Sequence, residues 1–169
     1  ATRYIFNSIV STVAVVLCTL IISVSAGYVL SKKRFRLKNA MFTINNLGLM
    51  FVPIAVAIPR YFIIVYSGLQ NNFLANIVPL LVTPTGVFLI KQFIDQMPDA
   101  LIEAAVIDGA SDYQILRRIV IPLVNPAIAT VTLTTFQSAW ASSEASTLFI
   151  DNEALKTFSF YISSLSGSA

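Results

Sequence analysis

Long charge-free stretches alternate with short charged segments along the chain. No Asp, Glu, Lys or Arg occurs at residues 4–31, 39–59, 61–90 or 119–143. Each stretch is long enough to cross a bilayer, because about 20 apolar residues in an α-helix span its hydrocarbon core. We therefore predict an all-α, polytopic bundle of transmembrane helices, with spans at about 7–31, 39–59, 72–92 and 120–141.

The loop between the first two predicted spans indicates which side of the membrane each segment faces. Five basic residues lie within 32–38, and short loops rich in Lys and Arg stay in the cytoplasm. The alternation of sides then places the loop 93–119 in the cytoplasm and the tail 142–169 outside. A simpler interpretation of the basic residues, as an ordinary solvated turn, is compatible with the same topology.

Composition supports the membrane assignment and argues against several kinds of chemistry. The chain is 56% hydrophobic and 11% charged, whereas an ordinary soluble domain is about 25% charged. His is absent and Cys18 is the single cysteine, so the commonest general base is missing and no disulfide framework or thiolate metal cluster is available. The chain has no G-x-x-x-x-G-K-[ST] phosphate loop. We expect no cofactor, no metal site and no catalytic residue.

Polar side chains inside the predicted spans have two possible functions. Four share one face of the fourth span, at spacings i, i+4, i+7 and i+8: Thr130, Thr134, Gln137 and Ser138. Asn45 and Asn46 lie in the second span. Polar groups in a bilayer turn toward other helices or toward a wet cavity. These residues are therefore candidates both for helix packing and for lining a pathway.

The loop 93–119 contains the signals of two short helices that meet at a corner. Pro98 suits the first position of a helix, and residues 100–107 are strong helix formers. Gly109 is the residue best able to end that helix. Ser111 and Gln114 match the S-x-x-Q capping box that begins the next one. We predict a compact helical knob with a shape suited to docking into a groove.

The same loop carries a spaced motif. It consists of Glu103-Ala104-Ala105, Gly109 after three intervening residues, and Ile119-Val120-Ile121-Pro122 after nine more. This pattern resembles the E-A-A, G and I-x-L-P pattern in the inner-membrane permeases of binding-protein-dependent ABC importers, with Ile121 in place of Leu. The longer run through Ala127 is similar to the carbohydrate-type branch of that family, which includes the smaller maltose permease subunit.

The resemblance implies a function and a set of partners. In the family, the loop is a coupling helix that inserts into a cleft on a separate ATPase. Seven residues are thereby implied to dock it: Glu103, Ala104, Ala105, Asp108, Gly109, Ala110 and Ser111. The implied partners are ATP-binding cassette ATPase subunits, a second permease subunit, an extracytoplasmic solute-binding protein and the lipid bilayer, with no nucleic acid.

The resemblance also implies a location and an extent. It implies a multi-pass subunit of the bacterial inner membrane, with a helix bundle of the type I ABC importer permease kind and a sugar or oligosaccharide as cargo. Because the similarity lacks the first and last spans of the family, we expect residues 1–169 to be a fragment of a single permease domain. The loop 93–119 is then the coupling loop, and 142–169 is an external loop.

Other classes of protein remain as alternatives. A secondary transporter or channel normally places ionisable residues within its spans, and here they lie in loops or at helix ends. A non-transporting scaffold subunit is a further alternative. An enzyme is the least favoured class, because no His or Cys accompanies the acids of the loop, which are Asp95, Asp99, Glu103, Asp108 and Asp112.

Overall fold

A computed structural model describes residues 2–51, 53–81 and 83–166, and every regular element within them is helical. The all-α prediction is confirmed. The α-helices are α1 (Thr2–Lys32), α2 (Lys38–Met50), α3 (Ala57–Tyr66), α4 (Pro84–Asp95), α5 (Asp99–Ile107), α6 (Asp112–Ile115), α7 (Ile121–Leu123), α8 (Asn125–Ala141), α9 (Glu144–Leu148) and α10 (Phe158–Ser166). The 3₁₀ turns are Pro53–Val56, Phe73–Asn76, Val78–Leu80 and Glu153–Leu155, and a π-helical segment covers Leu116–Val120.

Helix α1 turns its small hydroxyl residues inward and its large apolar residues outward. The buried positions include Ser8, Ser11, Thr12, Thr19 and Ser23. The exposed positions include Phe6, Ile9, Val13, Leu17 and Ile21. An amphipathic helix of a soluble protein has the opposite arrangement. Small residues mediate contacts between helices in membranes, so the inverted pattern is the one expected of a lipid-facing span.

The described helices differ in whether they are long enough to cross a bilayer. Helix α1 has the required length and hydropathy by itself. Two bent pairs reach them only when each pair counts as one span, namely Phe73–Leu80 with α4, and Asp112–Leu123 with Asn125–Leu148. The predicted span 39–59 is divided among α2, a 3₁₀ turn and α3. Helix α2 ends at Met50 and the 3₁₀ turn begins at Pro53, which lacks the N–H that continues an α-helix. Membrane crossing by these segments stays a prediction.

The chain divides into two compact units, which are described separately. The loop-bearing unit comprises residues 20–50 and 83–132. Its core contains Val24, Tyr28, Ile90, Ile94, Met97, Ala105, Ile115, Val120, Val124, Ala127 and Val131. Helices α1 and α4 approach closely in this core, because a Cβ atom on Gly27 would lie 2.8 Å from Cγ2 of Ile90. The buried residues of α5 and α6 thus belong to the same core as those of α1 and α4.

The tail-bearing unit comprises the described residues of 1–19, 51–82 and 133–169. Its core contains Ile64, Ala75, Ala145, Phe149 and Ile150. The buried hydroxyl of Ser146 donates to Oδ1 of Asn76 at 3.1 Å and accepts from the N–H of Thr157 at 3.1 Å. Arg60 Nη1 lies 3.3 Å from Glu144 Oε2. The described part of the predicted external loop is therefore folded against other segments of this unit, and its side of the membrane stays a prediction.

Candidate functional site

The predicted knob, residues 98–115, forms as helices α5 and α6 meeting at Gly109. Gly109 has φ +80°, a left-handed conformation that other L-residues adopt only at a cost. A Cβ atom added there would meet no atom within 4 Å. The requirement for glycine is therefore conformational rather than steric, and the predicted corner is confirmed.

The second helix of the knob begins with the predicted capping box. Ser111 Oγ accepts from the N–H of Gln114 at 3.4 Å, and the N–H of Ser111 donates to Oε1 of Gln114 at 2.8 Å. These reciprocal bonds satisfy two backbone donors that a helix start otherwise leaves unpaired. The π-helical segment that follows carries the exposed residues Arg117 and Arg118. The beginning of α6 is thus determined by local sequence, as predicted.

The knob has an apolar inner side and an unexpectedly apolar outer side. Ala105 and Ile115 point into the core of the loop-bearing unit. On the outside, Ile107 is 85% exposed and Tyr113 is 67% exposed. Leu101 and Val106 are exposed as well. We call Leu101, Val106, Ile107 and Tyr113 the apolar surface of the knob, a feature typical of sites that bind another protein.

The structure distributes the seven residues predicted to dock a partner over three environments. The exposed residues are Glu103, Ala104, Asp108, Gly109 and Ser111. Ala110 is half-buried against the core. Ala105 is buried within the core, so its small side chain allows α5 to pack inward. The exposed five lie on the part of the knob that a partner can reach.

Two lysines at the end of α1 bind both helices of the knob. Lys32 Nζ donates to Oδ1 of Asp99 at 2.6 Å and to the carbonyl oxygen of Met97 at 2.9 Å. Lys33 Nζ donates to Oδ1 of Asp112 at 2.6 Å. The side chain of Lys32 is 9% exposed, whereas that of Lys33 is 42% exposed. We call these two lysines and their two aspartates the lysine clasp.

The charges of the clasp are stabilised by their own contacts. The hydrogen bond from Lys32 and its positive charge lower the pKa of the Asp99 carboxyl below its ordinary value. The hydrogen bond to Asp112 raises the pKa of Lys33. Asp99 and Lys33 therefore remain ionised across neutral pH.

The last residue of α4 takes part in the same region. Burial favours the neutral form of Asp95, but hydrogen bonds from Lys91 at 2.6 Å and from Ser31 at 2.5 Å outweigh burial and lower its pKa. Lys38 Nζ also donates to the carbonyl oxygen of Ser31 at 2.7 Å. The end of α1 thus has polar contacts with α4 as well as with the knob.

Two recesses flank the knob. One of about 440 Å³ is lined by Ser31, Lys32, Arg34, Lys38, Asp99, Ile102 and Glu103. The other, of about 400 Å³, is lined by Asp108, Gly109, Ala110, Gln114, Ile115, Arg118 and Ile119. Glu103 therefore borders a recess that also carries basic side chains, and Asp108 borders one that carries Arg118. Side chains of either charge on a partner would find a complementary group here.

The polar face predicted on the fourth span lies on the outside of helix α8. Thr130, Thr134 and Gln137 are exposed, whereas Val131 and Thr135 on the other side are buried. The hydroxyl of Thr130 donates to the carbonyl oxygen of Pro126 at 3.0 Å, a bond within the helix. This face is therefore largely exposed in the described structure.

The two asparagines of the second predicted span differ from that face. Asn45 Nδ2 donates to the carbonyl oxygen of Pro84 at 3.1 Å, a contact between α2 and α4. Asn46 is half-buried, and its Oδ1 atom accepts no hydrogen bond from the described residues. Asn45 thus makes the packing contact that was one of its two predicted functions.

The geometry can be compared with known proteins. The family model for the binding-protein-dependent transport system inner membrane component matches residues 19–159. The chain belongs to this family. The match includes the whole knob and the lysine clasp. The predicted resemblance to the permeases of binding-protein-dependent ABC importers is therefore confirmed.

Curated relatives agree with the family assignment. The probable ABC transporter permease protein YurM of Bacillus subtilis is 31% identical over 156 residues, which cover 91% of this chain and 52% of that protein. The sn-glycerol-3-phosphate transport system permease protein UgpE of Rhizobium meliloti is 33% identical over 139 residues, which cover 82% of this chain and 49% of that protein. The arabinooligosaccharides transport system permease protein AraQ of Halalkalibacterium halodurans is 29% identical over 134 residues, covering 79% and 48%. The chain spans about half the length of these relatives.

A solved structure has the same fold. It is described as a bacterial ABC transporter involved in the import of the acidic polysaccharide alginate. The similarity has a TM-score of 0.89 at 28% sequence identity and covers 96% of this chain and 57% of that chain. The predicted fold class, a helix bundle of the type I ABC importer permease kind, is confirmed.

Sequence analysis missed two parts of the site. The apolar surface of the knob was overlooked because apolar residues in a short helix suit a packed core as well as an exposed surface. The lysine clasp was overlooked because its partners are distant in sequence, with Asp99 lying 67 positions after Lys32. The charges of the sequence did indicate such a contact. Acidic residues begin both helices of the knob, and the other loop predicted on the same side of the membrane, residues 32–38, is basic.

Proposed function

We propose that this protein is the membrane-spanning permease subunit of an ATP-driven importer, and that the knob docks a separate ATPase. The observation that carries the proposal is the apolar surface of the knob next to the exposed residues of the E-A-A motif. In a family whose members act as inner membrane components of transport systems, an exposed apolar surface on a charged loop fits a protein partner better than lipid.

We propose that docking combines apolar burial with charge pairing. Ile107 and Tyr113 would fill a cleft on the ATPase, while Glu103 would pair with a basic side chain of that subunit. Removing one partner of a desolvated charge pair costs about 2–5 kcal/mol, because the other charge is left buried and unpaired. Ala104 is small and exposed, which permits close approach of the ATPase along α5.

We propose a sugar or oligosaccharide as the cargo. Three of the four relatives named above have a cargo in their description. Two of these cargoes are carbohydrates, arabinooligosaccharides and alginate, and the third is sn-glycerol-3-phosphate. The exposed polar face of α8, with Thr130, Thr134 and Gln137, is the proposed lining of the pathway. Hydroxyl and amide groups suit a cargo rich in hydroxyls. Replacing Gln137 with Leu should then reduce uptake while the subunits still assemble.

The proposed partners complete the mechanism. They are two ATP-binding cassette ATPase subunits, a second permease subunit and an extracytoplasmic solute-binding protein, assembled at the bacterial inner membrane with the knob in the cytoplasm. ATP-driven closure of the ATPases would move the permease between outward and inward access. Such coupling requires that ATP and cargo bind the two states with different affinity.

The proposal is tested with the full transporter in proteoliposomes. Glu103→Ala should weaken binding of the ATPase by about 30-fold or more, equivalent to about 2 kcal/mol or more, and reduce ATP-dependent uptake. Ile107→Asp should also weaken binding and reduce uptake, because it places a charge in the apolar surface of the knob. Binding is measured by titrating purified ATPase onto the permease. Glu153→Ala is the matched control for Glu103, because Glu153 is an exposed acid of the predicted external loop.

Each result has a defined meaning. Normal binding and uptake in both knob variants would contradict the docking function. Uptake that proceeds without ATP would instead support a secondary transporter or channel, and binding of no ATPase together with no uptake would support a scaffold. A loss of binding in Glu153→Ala equal to that in Glu103→Ala would also contradict the proposal.

A further inference from the structure

We propose that Lys32 and Lys33 are positioning residues that make α1 and the knob move as one body. The inference rests on the proposed function, because it concerns how motion of a docked knob reaches the membrane-spanning part of the chain. It assigns the basic loop a role beyond orienting the protein in the membrane.

Four of the five basic residues of 32–38 fall into two groups, and the fifth, Lys38, is bonded to the Ser31 carbonyl oxygen. Lys32 is nearly buried and bonded to the knob, and Lys33 is bonded to it as well. Arg34 and Arg36 are exposed and form no hydrogen bond or ion pair with the described residues. A signal for membrane orientation requires only positive charge near the bilayer. Burial and directed bonding of Lys32 therefore indicate a second function.

Lys32 donates two hydrogen bonds at the beginning of α5. Its ammonium group binds the Met97 carbonyl oxygen and the Asp99 carboxylate, which lie on either side of Pro98. The proline restricts the backbone between them, because its ring fixes φ. A displacement of α5 therefore pulls directly on the end of α1.

Lys33 forms an ion pair with α6, on the other side of Gly109. Its partner Asp112 is the first residue of α6, so consecutive lysines hold both helices that meet at Gly109. Without such bonds, the two short helices could pivot about the glycine, since glycine is the least restricted residue. The clasp restrains the angle between α5 and α6, so that the knob moves together with α1.

The same end of α1 is also bonded to α4. Ser31 donates to Asp95, the last residue of α4, and Asp95 is held in turn by Lys91. Residues 31–33 thus connect α1, α4, α5 and α6 through side chains. Coupling carried by a contiguous set of contacts is the physical requirement for transmitting motion.

The test uses charge exchange in the full transporter. Lys32→Glu and Asp99→Lys should each lower the cargo moved per ATP hydrolysed by about tenfold, a factor typical of coupling between sites. The double variant, Lys32→Glu with Asp99→Lys, should restore the ratio because the ion pair is rebuilt in reverse. The ratio is independent of protein abundance, so a change in folding yield alone would not move it.

Two matched controls accompany the test. Arg36→Glu makes the same charge change in the same loop without touching the knob, so an effect on membrane orientation would appear there too. Lys33→Glu removes the pair with the more exposed lysine and leaves the second hydrogen bond of Lys32, to Met97, in place, so we expect its contribution to be smaller. We expect an unchanged ratio for the first control and a smaller loss than in Lys32→Glu for the second.

The outcomes separate this inference from the proposed function. Normal ratios in both single variants, or a double variant no better than the worse single one, would overturn the clasp while ATPase binding still supports docking. An ATPase that fails to bind the unaltered permease would instead overturn the docking proposal. If a charge-reversal variant does not insert, the neutral variants Lys32→Gln and Asp99→Asn enter the same assay, where an unchanged ratio would contradict the clasp.

Discussion

Helix α1 and the knob both expose large apolar side chains, but the surroundings of those side chains differ. On α1, Leu17 and Ile21 are 56% and 67% exposed, and no charged residue lies between Arg3 and Lys32. On the knob, Ile107 is 85% exposed and stands beside Asp108. The first surface is free of charges over the length of a bilayer, whereas the second is small and bordered by charges.

This difference indicates which environment each surface suits. A surface in the hydrocarbon core must be free of charges, because each one costs free energy there. A protein interface typically has an apolar centre with a polar rim. Exposure of apolar residues alone would make the two regions look alike, and the position of nearby charges separates them. We therefore expect lipid around α1 and a protein partner on the knob.

The largest expected effect comes from placing the same charge on both surfaces. Leu17→Asp lies near the middle of α1 and should oppose insertion by about 2.5–3.5 kcal/mol. Ile107→Asp should leave insertion intact, since we propose that the knob lies outside the bilayer. The measurement is the fraction of protein that stays in membranes after alkaline extraction. Equal extraction of the two variants would contradict the distinction between the surfaces.

A smaller effect is expected at the corner of the knob. Gly109→Val must adopt a left-handed backbone, which costs about 1–2 kcal/mol for an L-residue with a bulky side chain. Gly109→Asn should cost less, because Asn tolerates that conformation best after glycine. The assay is titration of the ATPase. We expect binding to be weakest in the Val variant, intermediate in the Asn variant and strongest with the native Gly. Equal binding by Val and Asn variants would show that the corner conformation is unimportant for docking.

The smallest expected effect is that of pH on the clasp. The pKa of Asp99 lies below its ordinary value of 3.8, so its contribution is present above that value and is lost as the pH falls through the lowered pKa. The pKa of Lys33 lies above 10.5, so its contribution is lost as the pH rises through the raised pKa.

Between these limits the charges of Asp99 and Lys33 do not change. The cargo moved per ATP should therefore be the same at about pH 6 and about pH 8. Proteoliposomes with equal pH on both sides provide this comparison. The cargo moved per ATP would contradict this expectation if it changed steeply between these pH values. If it changed equally in Lys32→Glu and in the unaltered protein, the pH dependence would belong to a group outside the clasp.

Local features were predictable from the sequence. The bonds of Ser111 and Gln114 join residues three positions apart, and the conformation of Gly109 follows from its own chemistry. The continuous helix α1 followed from a long charge-free stretch. These features depend on neighbours in the chain, which the sequence displays directly.

Long-range features were beyond such reasoning. The bond between Lys32 and Asp99 depends on how α1 packs against α5, which no local pattern encodes. Ala104 and Ala105 are identical in type, yet one is exposed and the other is buried, because the orientation of α5 is set by the core. The division of 39–59 was foreshadowed by Pro53, but a proline indicates a bend and a break equally well.

The most direct test is labelling of a cysteine at the apolar surface of the knob. Because Cys18 is exposed, the experiment uses Ile107→Cys in a Cys18→Ser background with a membrane-impermeant thiol reagent. We predict labelling from the cytoplasmic side alone, and protection when the ATPase is bound. Labelling from the outside, or labelling that the bound ATPase leaves unchanged, would contradict the account.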